Sequence, residues 1–263
     1  MRVGISTASF FGRRTVEDAI PLIGSLGAGL CEVFLSSISE FGERFGALLD
    51  ARARDAGVEV YSVHGMSTMY EPQLFSRAKR QREDAFSLLD AALDCGARAG
   101  AGRYVFHGAP NYKGRAGEPD YGFLAEAIAA VDAHCRERGL ILTWENVFWC
   151  QYRFPEFLPR LWEAGAPQTL GATLDVKQAL RSGHDAMAYA RAMGSRLYNL
   201  HLSDWEPGGR IVLPGRGQAP IAGWFHGLGE LGYGGPAIVE VYQDSFGGEE
   251  ELRECVAYLN GLR

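Results

Sequence analysis

Leu140-Ile141-Leu142-Thr143-Trp144-Glu145 is a short apolar run closed by a carboxylate, and its reading decides the fold. A strand buried on both faces is apolar throughout, and a charged group that ends one sits where the chain leaves the core. Three more runs repeat the pattern: Leu170-Gly171-Ala172-Thr173-Leu174-Asp175, Leu197-Tyr198-Asn199-Leu200-His201 and Ala237-Ile238-Val239-Glu240. Four such endings put oxygen and imidazole donors at one rim of one sheet. That set of donors suits a divalent metal.

Outward from these runs, strand and helix signals alternate along the chain. Apolar runs at 2–6, 30–35, 58–63, 103–107, 140–145, 170–175, 196–201 and 236–241 are rich in Val, Ile, Leu and aromatics. Helix-like stretches between them include 15–26, 75–97, 121–138, 184–193 and 249–262. Glycines mark helix stops, as in Asp55-Ala56-Gly57, Cys95-Gly96, Arg138-Gly139 and Ala164-Gly165. Eight strand–helix units at roughly 33 residues each predict a (β/α)8 TIM barrel of the α/β class. One domain over residues 1–263 is expected. The rival, a doubly wound sheet, often has a Gly-rich phosphate loop after its first strand. The first loop here, Thr7-Ala8-Ser9-Phe10-Phe11-Gly12-Arg13-Arg14, has no such motif.

Bulk properties narrow the function. The formal net charge of −6 argues against nucleic acid, whose binders need a basic surface. The run Arg77-Ala78-Lys79-Arg80-Gln81-Arg82 reads as the solvated face of a helix. Five cysteines without C-x-x-C spacing argue against a disulfide framework or structural zinc and fit a reducing cytoplasm. The chain opens on a strand, Arg2-Val3-Gly4-Ile5-Ser6, so no signal peptide is expected, and no run is long enough for a membrane span.

Barrel active sites lie at the C-terminal ends of the strands. After strands three and four come Val63-His64-Gly65 and Phe106-His107-Gly108, and strands five to eight offer Glu145, Asp175, His201 and Glu240. A single strand-end carboxylate is more often an ion pair or a helix cap, but six strands of eight ending in donor residues point to a metal-centred site.

Trp144-Glu145-Asn146, Thr173-Leu174-Asp175, Leu200-His201-Leu202-Ser203-Asp204, Pro214-Gly215-Arg216-Gly217 and Val239-Glu240-Val241 stand in an order that resembles the xylose isomerase-like barrel superfamily. That group includes sugar and sugar-phosphate isomerases and epimerases, hydroxypyruvate isomerase and endonuclease IV. The resemblance spans the whole chain. It implies that Glu145, Asp175, His201 and Glu240 bind one divalent metal (Mn²⁺, Mg²⁺, Co²⁺ or Zn²⁺). It also implies that His64 and His107 hold a second ion or line the pocket. The implied chemistry is proton transfer through a metal-stabilised enediolate, with Glu145 as first choice of base and Glu240 as its partner.

The departures are as informative. Gln178 stands where many relatives carry a histidine, and the stretch Arg210-Ile211-Val212-Leu213-Pro214-Gly215-Arg216 lacks the Asp-x-His of the endonuclease branch. A three-zinc DNA-cleaving centre is therefore not expected. The ketose 3-epimerase branch carries an arginine soon after the strand-seven histidine, and this chain has Pro207 in that neighbourhood, so a close match to that branch is not expected either.

Lys177, two residues past Asp175, reads either as a cation or proton donor in the mouth or as a lysine paired with a rim carboxylate. Arg210 and Arg216 are candidates for gripping a substrate anion, with surface ion pairs as the plainer reading. Trp149 and Gln178 complete the candidate substrate contacts. Phe10, Phe11, Phe148, Trp149, Trp205 and Tyr242 suggest an apolar wall around the mouth. Glu32 reads as a barrel-interior ion pair or a hydrogen-bond partner of a pocket group. Cys150 reads as an inert thiol, and His134, His184 and His226 as surface residues.

The leading expectation is a metal-dependent isomerase or epimerase of a small sugar, sugar phosphate or related hydroxy-carbonyl compound. The alternatives are a metal-dependent lyase or hydrolase on the same barrel, or a non-catalytic barrel. Pairing of identical chains through helices or loops is left open.

Overall fold

The computed structural model describes residues 1–111 and 118–262. Eight parallel strands close a barrel: β1 (Val3–Ser6), β2 (Leu30–Leu35), β3 (Glu59–Gly65), β4 (Arg103–Phe106), β5 (Ile141–Glu145), β6 (Gly171–Asp175), β7 (Leu197–Leu202) and β10 (Ala237–Val239). β10 pairs with both β7 and β1, which removes every free edge. A two-stranded hairpin, β8 (Asp204–Trp205) and β9 (Ile211–Val212), follows β7.

The outer layer is α1 (Val16–Ser25), α2 (Glu43–Ala56), α3 (Glu71–Leu74), α4 (Lys79–Arg98), α5 (Tyr121–Glu137), α6 (Phe157–Glu163), α7 (Val176–Arg181), α8 (Ala186–Met193), α9 (Ile221–Glu230) and α10 (Glu249–Gly261). Caps place several of their starts. Asp120 accepts the Phe123 N–H at α5, and Asp185 accepts the Met187 N–H at α8. The helix expected over 75–97 begins only at Lys79. Ser76 Oγ takes the Ala78 N–H, and Phe75 packs inward on Phe106 and Trp144. Among the described residues no helix is long and apolar enough to cross a membrane.

Side chains two apart on a strand share a face. Thr143 and Glu145, Thr173 and Asp175, and Asn199 and His201 therefore fall together, and Thr173 Oγ1 donates to Thr143 Oγ1 at 2.9 Å. Leu142, Trp144, Ala172, Leu174, Leu200 and Leu202 take the alternate positions and belong to the main apolar core.

Two register shifts re-aim this pattern. The β2–β3 ladder skips Tyr61, and the β6–β7 ladder skips Tyr198. Both tyrosines meet the Arg103 guanidinium, which lies 4.1 Å from the Tyr61 ring centroid and 5.7 Å from that of Tyr198. Gly171 makes room for this packing, since a Cβ there would come within 2.3 Å of the Tyr198 ring. Above each shift the next residues fall into the polar set: Ser62 and His64 on β3, Asn199 and His201 on β7.

Candidate functional site

Glu145 and Asp175 end their strands, His201 is the fifth residue of β7, and Glu240 lies one residue past β10. The Glu240 N–H still bonds the Leu202 carbonyl at 3.0 Å, so its backbone stays in line with the barrel. One donor atom from each of Glu145, Asp175, His201 and Glu240 lies within 4.8 Å of all the others, and all four residues are buried. His201 Nδ1 is 3.6 Å from both Glu145 Oε2 and Glu240 Oε2, and 4.0 Å from Asp175 Oδ2.

The supports around the quartet fix which atoms face it. Asp175 caps α7, its Oδ1 accepting the Gln178 N–H at 3.0 Å, so Oδ2 is the oxygen turned inward. Asn146 clips the ends of β5 and β6 together: Oδ1 accepts the Asp175 N–H at 2.8 Å and Nδ2 donates to the Asp175 carbonyl at 3.0 Å. His201 Nε2 points away from the quartet, 3.0 Å from Glu32 Oε1. Glu32 in turn accepts from Ser62 Oγ at 2.6 Å and Asn199 Nδ2 at 2.8 Å. A carboxylate behind a histidine fixes the ring and its tautomer, which leaves Nδ1 for a ligand.

His107 and His64 lie on the other side of Glu145. His107 Nε2 is 3.0 Å from Glu145 Oε2, and Nδ1 is 2.8 Å from Ser67 Oγ. Glu71 holds this segment in place, with Oε2 accepting the N–H groups of both His107 and Gly108 at 2.8 Å. The His64 ring packs 5.2 Å from Phe34 and 4.4 Å from His107, and both of its buried nitrogens lack a partner among the described residues. A cavity of about 380 Å³ opens beside Phe34, lined also by Thr7, Phe11, Ser36 and Glu40.

Charge in this pocket is strongly biased. Burial alone would push the Glu145 carboxyl up, but His107 and His201 hold it well below its usual range. For Glu240 burial is likewise outweighed, by His201 and Lys177. At Asp175 burial wins and raises the carboxyl, against the pull of Lys177. His201 is buried yet pushed well up by Glu240, Glu32 and Glu145. Burial lowers His64 to about 4, with His107 adding to the effect. Burial lifts Glu71 to about 7.

Lys177 is drawn inside. Its Nζ contacts Asp175 Oδ2 and lies 3.0 Å from Glu240 Oε1, so the ammonium points into the mouth and is paired with carboxylates there. Gln178 is buried beside it and accepts the Phe148 N–H at 3.4 Å. Trp149 is half-buried with its ring edge-on to His107 at 6.4 Å.

The arginines of the loop after β7 stand apart from this group. Arg210 forks onto Glu206 across the hairpin at 2.8 and 3.2 Å, and Arg216 pairs with Glu254 of α10, all four side chains being exposed. Each guanidinium has a carboxylate within reach, which is the arrangement of the plainer surface ion-pair reading. Asp204 organises this loop, accepting the N–H groups of Trp205, Gly215, Gly217 and Ala219.

Of the aromatics, Phe10 is core, while Phe11, Phe148 and Tyr242 are exposed. The Arg181 guanidinium lies between Phe148 and Tyr242, at 5.6 and 5.3 Å. Cys150 is buried and burial pushes its thiol up, consistent with an inert group. His226 is exposed, but His134 is half-buried between Asp90 and Phe86 and so departs from the surface reading. Glu71, Ser67 and the clip made by Asn146 escaped the sequence reading. Only Asn146 left a trace there, as the neighbour of Glu145.

The donor chemistry fits a divalent metal. Three carboxylates and an imidazole converge, and His201 Nδ1 and Glu240 Oε2 are buried with no hydrogen-bond partner among the described residues, which is costly unless a ligand takes them up. A second cluster, His64, His107 and Glu145, shares Glu145 with the first.

Known proteins bear on this arrangement. D-Psicose 3-epimerase from Clostridium cellulolyticum, solved with D-tagatose, superposes with a TM-score of 0.82 at 18% identity, over 100% of this chain and 98% of its own. 3-Keto-D-glucoside 4-epimerase from E. coli superposes with a TM-score of 0.77 at 14% identity, over 99% of each chain. In sequence, a Mycobacterium tuberculosis protein described as uncharacterized is 25% identical over 285 residues, 98% of this chain and 94% of its own. The family model for the xylose isomerase-like TIM barrel matches residues 22–262. This chain therefore belongs to the xylose isomerase-like TIM barrel family.

Proposed function

We propose that this protein is a divalent-metal-dependent isomerase or epimerase of a small hydroxy-carbonyl carbohydrate, free or phosphorylated. The observation that carries the reading is the pair Glu145 and Glu240, set on either side of His201 with 3.6 Å from each carboxylate to Nδ1. Removing a proton from one face of a carbon and returning one to the other face can use two such carboxylates, one for each face. The sugar epimerases among proteins of like fold support the choice of substrate class.

In this reading Glu145, Asp175, His201 and Glu240 hold the ion, which is Mn²⁺, Mg²⁺, Co²⁺ or Zn²⁺ on donor type. When bound, it supplies Lewis-acid polarisation of the substrate oxygens. Glu145 takes the proton from the carbon next to the carbonyl, and Glu240 returns one. Glu145 is held in the ionised form that an acceptor needs, and Glu240, also held low in the resting site, first takes up a proton from solvent before it returns one. Lys177 keeps Glu240 oriented through Oε1, leaving Oε2 toward the site. Gln178 and Trp149 face the substrate, and His107 steadies Glu145. Arg210 and Arg216 have no part in the grip.

A second reading has its own observation. His64 has two buried nitrogens without partners among the described residues and sits with His107 and Glu145 in a second possible ligand cluster. Two ions sharing Glu145 would suit a hydrolase.

The test incubates Mn²⁺-loaded protein in D₂O with a panel of aldoses, ketoses and their phosphates and follows deuterium entry into carbon by NMR. Exchange next to the carbonyl in at least one substrate, lost in Glu145→Gln, is expected. Hydrolysis of a phosphodiester with no exchange in any sugar would overturn the first reading in favour of the second.

A further inference from the structure

Lys177 is a cation placed inside a set of cation ligands. Its side chain is 5% exposed, its Nζ contacts Asp175 Oδ2, and Glu240 Oε1 lies 3.0 Å away. Asp175 has little freedom to offer anything else. Its Oδ1 is engaged by the Gln178 N–H at the start of α7, and its backbone is clipped on both sides by Asn146. Oδ2 is thus the one oxygen this residue can turn toward an ion, and the ammonium is already on it. Glu240 differs: Lys177 takes Oε1, while Oε2 remains buried and without a partner among the described residues.

An ammonium and a divalent ion on the same buried oxygen repel each other strongly, because little water is present to screen them. We propose that Lys177 is an internal cation that competes with a divalent metal for Asp175 Oδ2 while keeping its hold on Glu240 Oε1, and so sets how tightly the ion is held. The proposal rests on the metal-site reading above. It goes beyond that reading by assigning to this lysine a tuning role that opposes binding. Tethered two residues from Asp175, the ammonium holds the carboxylates together when no ion is bound, and it yields Asp175 Oδ2 when one enters. A lysine that served only to brace the fold would act in the opposite sense: its loss would loosen the ligands and weaken metal binding.

The experiment titrates Mn²⁺ calorimetrically into the chelator-treated full-length protein and its Lys177→Met, Lys177→Gln and Lys177→Arg variants. Thermal unfolding of each is recorded with and without saturating Mn²⁺. Loss of the cation is expected to tighten Mn²⁺ binding by about tenfold or more in the Met and Gln variants, with Arg returning it toward the parent. Without Mn²⁺ the Met and Gln variants are expected to melt about 4 °C or more below the parent, a gap that saturating Mn²⁺ closes. Mn²⁺ binding in Met and Gln variants that is unchanged or weaker overturns the proposal, as does a melting deficit that persists at saturating Mn²⁺. If the Met variant does not fold, the Gln and Arg pair decides. A parent that binds no Mn²⁺ is a separate result, which removes the metal site itself.

Discussion

At the floor of the barrel the Arg103 guanidinium lies 4.1 Å from the Tyr61 ring and 5.7 Å from that of Tyr198. The Tyr61 hydroxyl donates to the Tyr198 carbonyl at 2.6 Å, and Arg2 pairs with Glu59 at the exposed edge. At the mouth, a few residues along the same strands, Glu145, Asp175, Lys177, His201 and Glu240 crowd together out of water. Three carboxylates there face one lysine and one histidine, and buried donor atoms stay unpartnered. Isolated buried charge is among the most costly things a fold can keep. The floor uses its polar groups to close the barrel, whereas the mouth keeps charge that the proposed ion and substrate would take up.

Replacing the proton acceptor should break this contrast most sharply. Glu145→Gln is expected to lower the rate of carbon-bound deuterium exchange by about a thousandfold while the protein stays folded, as read by NMR and circular dichroism. A rate close to the parent's would move the base elsewhere.

Glu71 offers the next largest effect, through pH. Its carboxyl stands at about 7 in the folded chain against an ordinary value of 4.5. The folded protein therefore binds this proton more tightly than the unfolded chain. The stabilisation is full below about 4.5 and is lost as pH rises toward 7. Between those values the stability difference between Glu71→Gln and the parent should shift by about 3 kcal/mol in favour of the variant, then level off. Urea unfolding at pH 5 and pH 8 checks this, and a pH-independent difference would refute it.

At the floor, Arg103→Met should cost about 1–2 kcal/mol of stability through the lost aromatic contacts. Mn²⁺ affinity and turnover should stay within about twofold of the parent, since the site is distant. A large loss of turnover without a loss of stability would show that the two ends are coupled. The smallest effects belong to Arg210→Ala and Arg216→Ala, each expected to change stability by less than about 1 kcal/mol, as exposed ion pairs do. Turnover of anionic and neutral substrates should be equally unaffected, and selective loss on phosphorylated sugars would restore these arginines to the site.

Most of the barrel was legible because strand burial writes itself into short apolar runs, and a donor residue that ends a run marks the mouth. The quartet was found in that way, and so were His64 and His107. What was hidden depends on register or on contacts between distant segments. The skipped residues Tyr61 and Tyr198 look like ordinary strand residues in sequence, yet they turn Ser62, His64, Asn199 and His201 toward one another. Glu71 follows β3 with no strand-end signature, and only the folded chain brings its carboxylate onto the backbone of His107. Glu206 lies four residues before Arg210, so that pairing was readable, but Glu254 is brought to Arg216 by α10. Lys177 shows the limit most clearly: spacing does not encode that its ammonium is buried in the mouth and paired there with both Asp175 and Glu240.

The metal content of the mouth tests the account most directly. Purified protein, chelated and then titrated with Mn²⁺ under calorimetry, should bind one ion tightly per chain. That binding should vanish in an Asp175→Asn, His201→Asn double variant that remains folded. Absence of binding in the parent, or equal binding in the double variant, would contradict the assignment of Glu145, Asp175, His201 and Glu240 as the metal site.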